Sequence, residues 1–417
     1  MKNILSAFPT PETLVKELRN QEIPSFREAN CHVHSPYSYS SFSDIETLVK
    51  EAKNENVSVL GINDFFVTDG FREFHDECVK HDVFPMFNME LTGLIREEQQ
   101  RGMMLNVPGE AGKISVSGKG LDFPFETGWI QKRQLKSFRN DNQRHINRMI
   151  TRLNELIKKR NPALYISYDL VKNEYARSIV HERHVARALR LMALRRFSEP
   201  GEQLSFIEDI SGKKSESGLS DAAVLEQEIL RNILKNGGAA YVEEDYENMP
   251  DLKKLLKIII TSGGIPFYTV HLDDSSGTLT AFEQDPVELG TSLKKLGIQC
   301  VEFIPGNNNP SLLSEYVRYF DNTDFVITFG TKHSSPEMKP VAVNGKDSTG
   351  PGTRLKEIAW NGACIIAAHQ YLRATGRQGY VLPDGKYSVK QKKELTILGK
   401  LVIEYFLNRK YEPKRAG

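Results

Sequence analysis

Along residues 29–91 the chain switches between two rhythms of apolar and polar positions. Short runs of strand character, 29–34 (ANCHVH), 57–64 (VSVLGIND) and 83–91 (VFPMFNMEL), alternate with stretches of helical spacing. Ile45, Leu48, Val49 and Ala52 share one face of a helix over 44–55, and 70–81 reads as the next helix. Strand, helix, strand, helix, strand is the pattern of βα units around a parallel sheet. Ahead of it, 10–19 reads as a short amphipathic helix with Thr10 as N-cap and Pro11 in its first turn.

The alternation stops in the middle of the chain. Residues 97–129 hold glycines and prolines without clear period and are expected to form loops with short strands. Helical patterns follow at 131–160, 180–197 and 221–236, with a polar loop at 212–218. Then the βα rhythm returns. A helix at 251–262 ends at Gly263-Gly264, and strands at 265–271, 298–304 and 324–329 are separated by helices at 286–296 and 310–320. This divides the chain into an N-terminal helical extension (1–28), two barrel halves (29–130 and 251–345) around a helical insertion (131–250), and a C-terminal helical segment (346–417). The last segment follows a break at 348–352 and carries helices at 354–375 and 389–409, read as a cap, a packing element or an oligomer contact.

At 417 residues, one large barrel with insertions is as reasonable as two or three domains. A hydrophobic content of 39% is enough to fill such a core. The net charge of +1 supplies no global attraction to nucleic acid or to an anionic membrane. An arginine-rich stretch at 183–196 keeps a nuclease variant open without favouring it. Cys31, Cys78, Cys300 and Cys364 are scattered, with no C-x-x-C pair, so reduced thiols are expected. Residues 1–27 show no signal-peptide pattern and no run reaches ~18 apolar residues, so a cytoplasmic protein is expected.

Candidate chemistry gathers at the strand ends. The first ends in His32-x-His34, the second in Asp64, the third in Glu90 and a later one in His271; His333 follows the last. In βα barrels the C-terminal strand ends face the active site. Residues two apart on a strand leave the same face, so His32 and His34 can grip one ion. A single histidine at a strand end is most often a structural residue. Five ligand types at successive strand ends point instead to a metal site. Imidazole with carboxylate suits Zn, Mn or Fe better than Mg or Ca.

These segments resemble motifs of the PHP (polymerase and histidinol phosphatase) superfamily. Residues 30–38 (NCHVHSPYS) are similar to its H-x-H-S-x-x-S motif, 61–65 (GINDF) to its T-D-H strand end and 88–91 (NMEL) to its G-x-E motif. Residues 268–272 (YTVHL) and 330–334 (GTKHS) resemble its A-H-P and G-S-D-x-H motifs, and 182–189 (ERHVARAL) resembles the R-P-H-x-A-x-A-L segment of the phosphoesterase branch. The resemblance covers roughly 29–130 and 251–345. It implies a distorted (β/α)7 barrel in which up to three metals activate water for attack on a phosphate ester. Carried over, His32, His34, Glu90, His271 and His333 are ligands, and Asp64 is a ligand or a support for one.

The chain also departs from the family pattern. Phe65 replaces the histidine of T-D-H, Tyr39 an aspartate (with Asp44 just beyond), Thr331 the last aspartate and Arg183 a proline; Asn106 is the nearest match to a fourth-strand histidine. One or two divalent ions (Zn, Mn or Fe) are therefore expected in place of three. Lys332 is read as a stand-in for a missing ion's charge or as an anion-binding group, and His184 as a phosphate contact. Gly118-Lys119-Gly120 reads as a plain loop in preference to a phosphate-binding turn, and Asn307 to Asn309 as a simple turn in preference to a lining of the pocket mouth. His75, His81, His145, His181 and His369 read as surface or packing residues. Tyr37 and Tyr39 are read as pocket walls or packing.

The favoured expectation is a metal-dependent phosphoesterase acting on a small phosphorylated metabolite or nucleotide. Two alternatives stand beside it: a hydrolase of a non-phosphate substrate, and a non-catalytic protein that binds a metabolite or a partner.

Overall fold

Seven short segments with alternating inward and outward side chains build one curved sheet. The computed structural model describes residues 3–18, 23–273, 277–347 and 350–408. Among them β1 (Glu28–Val33), β2 (Val57–Phe65), β3 (Phe84–Leu94), β4 (Lys113–Lys119), β5 (Ile265–Thr269), β6 (Cys300–Phe303) and β7 (Val326–Phe329) pair in chain order. The sheet curls until its ends nearly meet. Val33 bridges Lys332, the His34 amide donates to the Lys332 carbonyl (2.8 Å), and the Lys332 amide donates to the His32 carbonyl (2.8 Å). The result is the expected distorted seven-stranded α/β barrel.

One feature of the sheet corrects the sequence reading. Residues 97–129 contain a full strand, β4, that runs antiparallel to both β3 and β5. Between β3 and β4 lies only a five-residue helix, Arg96–Gln100, and turns. A parallel return needs a crossover, usually helical, and this connection makes none. Arg19 and Arg409, expected as helix ends, and Ser348, at the start of the break at 348–352, lie outside the described residues.

Helices Ile45–Asn54, Phe71–His81, Leu252–Thr261, Pro286–Lys295 and Pro310–Asn322 cover the outer face. Their starts are encoded locally. Asp44, Asp285 and Asn309 each accept hydrogen bonds from first-turn amides, and Pro286 and Pro310 open their helices.

Inside the barrel the two ends differ. At the N-terminal ends of the strands, Val59, Phe84, Met86, Ile265, Phe267, Cys300 and Val326 share one core with the helix Thr353–Ala374. That helix is buried from Ile358 to Leu372 except at Asn361. A helix apolar on all sides belongs in a core, so this segment is a packing element that stoppers the barrel. Gly362 lets it approach β7, because a Cβ there would overlap the Ile327 carbonyl oxygen.

At the other end the insertion sits over the strand tips. Its helices Trp129–Arg160, Tyr168–Tyr175, Glu182–Arg196, Pro200–Ser211 and Ala222–Ile229, the last running into a π-helical turn Leu230–Leu234, have an apolar cluster of their own. All four cysteines are buried and free. Among the described residues no helix is long and apolar enough to cross a membrane.

Candidate metal centre

The inward face of β1 carries Asn30 and His32, and His34 follows on the same side. The Nδ1 of His32 lies 2.5 Å from Glu302 Oε2, and the Nδ1 of His34 lies 3.2 Å from Ser38 Oγ. Ser38 Oγ in turn donates to Asp64 Oδ1 (2.6 Å), which leaves it able to accept from His34. These partners assign the proton to each Nδ1 and turn each Nε2 lone pair inward. The two Nε2 atoms are 3.2 Å apart and lie 3.2 and 3.3 Å from Glu90 Oε2.

Glu90 Oε2 is buried and makes no hydrogen bond of acceptable geometry. An orphaned carboxylate oxygen facing two imidazole lone pairs is costly unless a cation joins them. Ligands ~2.0–2.1 Å from a tetrahedral ion sit about 3.3 Å from one another, so this triangle has the right size for a transition-metal ion. His32, His34 and Glu90 are all buried.

The electrostatics keep the donors in their binding forms. Burial depresses His34 to about 3, so it stays neutral. Burial works to raise Glu90, but the Lys332 ammonium opposes it, and the carboxyl is held well below the usual carboxylate range. Glu302 is likewise held low against burial by Lys119 and His32. Lys119 Nζ, fully buried, donates to Glu302 Oε1 and to the Cys31 carbonyl, both at 2.6 Å. Burial lifts Asp64 to about 6, against the lowering effect of Ser35 and Ser38.

The other expected site residues lie elsewhere. His271 lines the cavity above the centre but is outside the donor triangle; its amide donates to the Glu283 carboxylate. His333 contacts Thr331 Oγ1 and the Lys339 carbonyl through its two ring nitrogens, both at 2.8 Å. Asp64 accepts from Ser35 and Ser38 behind His34. His184 is buried in the insertion, where its Nδ1 accepts from the His181 amide and its ring meets Tyr39 edge-on.

Phe65 stacks between His34 (4.4 Å) and His181 (5.2 Å). Asn106 ties the β4 backbone to the end of β5 through Ser115 and Thr269. Tyr39 is no pocket wall: it is buried against Arg187 and Glu226. Lys119 sits in β4, not in a loop. Glu302, Lys119 and Ser115 are site residues that sequence reasoning did not place at the centre, whereas Ser38 belongs to the 30–38 motif. The available signals were a lone charge in an apolar strand (CVEF) and small polar residues at every second position of KISVSGK.

Above the triangle a cavity of about 740 Å³ lies between barrel and insertion. Glu90, Ser115, His271 and Lys332 line it from below, and His181 and Arg183 from the insertion. Lys332 and His333 both occupy left-handed backbone (φ 71° and 53°), uncommon for residues with a Cβ. The Lys332 ammonium lies 3.7 Å from Glu90 Oε1. Arg183 Nη1 is buried without a hydrogen-bond partner, its guanidinium 5.8 Å over the Tyr39 ring.

Residues 30–111 match the PHP domain. The matched PHP segment spans β1 to β3 and so contains His32, His34, Asp64 and Glu90. No curated protein matches the chain. Among solved structures, a "putative metal-dependent phosphoesterase" from Bifidobacterium adolescentis is 15% identical, with a TM-score of 0.50 over 78% of this chain and 95% of that one. It shares the fold. An amidohydrolase from Chromobacterium violaceum, solved with bound sulfate and no metal, is 14% identical, with a TM-score of 0.47 over 78% of this chain and 99% of that one.

Proposed function

We propose that this protein is a metal-dependent hydrolase of small phosphate esters, with His32, His34 and Glu90 holding a divalent transition metal (Zn, Mn or Fe). The observation that carries the reading is the buried triangle of donor atoms closed by the orphaned Glu90 oxygen. Bound there, the metal would supply an acidified water and polarise a phosphoryl oxygen. The chain's own groups do the rest. Lys332 presents an ammonium to the cavity, and Arg183 lines it from the insertion, both cations of a kind suited to phosphate oxygens.

Glu302 orients His32, and Asp64 acts through Ser38 on His34, so both are positioning residues. Phe65 shields one face of His34 from water. Of the five expected ligands the proposal keeps three. It assigns His271 to the substrate cavity, His333 to barrel closure, and His184 to the start of the insertion helix Glu182–Arg196. The four free, buried thiols suit a reducing compartment such as the cytoplasm.

Lys332, next to Glu90, and Arg183, on the insertion side of the same cavity, favour a phosphate over an amide or lactone substrate. Metal content of protein purified without chelator, compared with a His32→Ala, His34→Ala double variant, tests the reading alongside hydrolysis of a chromogenic phosphate monoester. At least about one ion per chain, lost in the variant together with activity, is expected. No metal in either protein after reconstitution with Zn, Mn or Fe would sink the hydrolase and leave a binding protein.

A further inference from the structure

We propose that the centre takes a single metal ion and that the Lys332 ammonium is its second cation, the pair together selecting a dianionic phosphate monoester. This rests on the metal reading above and sharpens it. Glu90 is the pivot. Its Oε2 faces the Nε2 atoms of His32 and His34, whereas its Oε1 accepts from Ser115 Oγ at 2.5 Å and lies 3.7 Å from Lys332 Nζ. A carboxylate with a donor set on one oxygen and an ammonium near the other bridges two positive charges. One of those charges is part of the chain.

A second ion would find few ligands. Among the described residues the only other group of potential donors, Glu46, Glu77 and His81, lies at the surface. Around the centre three further groups are engaged within the chain. Asp64 accepts from Ser35 and Ser38, Glu302 contacts His32, Lys119 and Thr328, and His333 contacts Thr331 and Lys339. The ring of Phe65 covers the open face of His34.

Lys332 is also held where this role needs it. Its amide donates to the His32 carbonyl and its own carbonyl accepts from the His34 amide, so the bonds that close the barrel fix it beside both histidines. Its left-handed backbone persists because those bonds determine it.

Charge then narrows the substrate. A divalent ion, two neutral imidazoles, one carboxylate and one ammonium leave about two positive charges at the centre itself. A phosphate monoester carries about −1.5 to −2 near neutral pH, and a diester carries only one negative charge. The monoester is the better match, with Lys332 donating an N–H to a non-bridging oxygen.

The test counts zinc per chain after equilibrium dialysis and measures inorganic phosphate and dimethyl phosphate binding to the loaded protein by calorimetry. Wild type, Lys332→Ala and Lys332→Arg are compared. The expected result is one ion per chain in all three. Phosphate affinity should fall about tenfold or more in Lys332→Ala and recover largely in Lys332→Arg. Dimethyl phosphate should bind wild type far more weakly than phosphate does. Two or more ions in wild type, or unchanged phosphate affinity in Lys332→Ala, would overturn the proposal while the hydrolase reading stands. Zero ions in wild type would defeat both. The wild-type count decides the stoichiometry even if a variant fails to fold.

Discussion

The two ends of the barrel interior are built from the same strands and solve opposite problems. At one end Val59, Met86, Phe267 and Val326 meet a helix buried on nearly all sides, and the contacts are apolar and close. At the other, the inward faces of those strands carry Asn63, Glu90, Thr269 and Thr328, in a region of hydrogen bonds and charge beneath an open cavity. Burying polar groups is tolerable only where each finds a partner, and at this end Glu90 Oε2, Asn63 Oδ1 and Thr269 Oγ1 have none within the chain. The apolar end supplies stability that the polar end is free not to provide.

That division can be broken from either side. The largest effect is expected from Gly362→Ala, which forces a Cβ into the Ile327 carbonyl. Urea unfolding should show a loss of at least about 3 kcal/mol, with metal content of the folded fraction unchanged. Loss of metal alongside would show that the two ends are not separable.

Next is a pH effect in the stopper helix. Burial depresses His369 to about 4, and its Nδ1 accepts from the Tyr380 amide while its Nε2 meets the Gly263 carbonyl at 2.5 Å. Below the unfolded value near 6.5 the unfolded chain binds a proton that the folded chain refuses. Stability should therefore fall as pH drops from about 6.5 to about 4, by up to roughly 3 kcal/mol. His369→Gln should flatten that slope; an unchanged slope would assign it to other groups.

The smallest expected effect sharpens the comparison where the ends meet. Glu302 joins His32 of the centre to the buried Lys119 below it. Glu302→Gln with Lys119→Met removes the buried pair together. Zinc affinity should fall about 10–100-fold, the usual cost of removing a partner that orients a ligand, while the melting temperature changes little. Wild-type zinc affinity in that double variant would mean that His32 needs no orienting carboxylate.

Much of this architecture was legible in the sequence, for a physical reason. Parallel strands covered by helices repeat an apolar run and an amphipathic helix, and that rhythm survives without tertiary information. His32, His34 and Glu90 were legible because they end such runs. Strand β4 was legible only as an unplaced short strand within 97–129, since its inward residues Ser115, Ser117 and Lys119 are polar and its outward glycine breaks the apolar face. The fates of His271 and His333 were not legible. A position at a strand end fixes the neighbourhood of a side chain, but the left-handed turn at Lys332 and His333 decides where the imidazole goes. The partners Lys119 and Glu302 meet across 183 residues, a separation that no local pattern encodes.

Barrel closure between β1 and the segment after β7 also has a consequence in time. Asn30 donates to Thr331 across 301 residues, and the backbone bonds around His32 and His34 use the same late segment. During synthesis the three donor residues emerge first, the insertion follows, and Glu302 and Lys332 arrive near the end. An unfinished chain thus displays the histidine pair with Ser38 and Asp64 behind His34 but without Glu302 beside His32 or the charge of Lys332. On the proposed reading, competence for a metal is acquired last, as a property of the assembled ring.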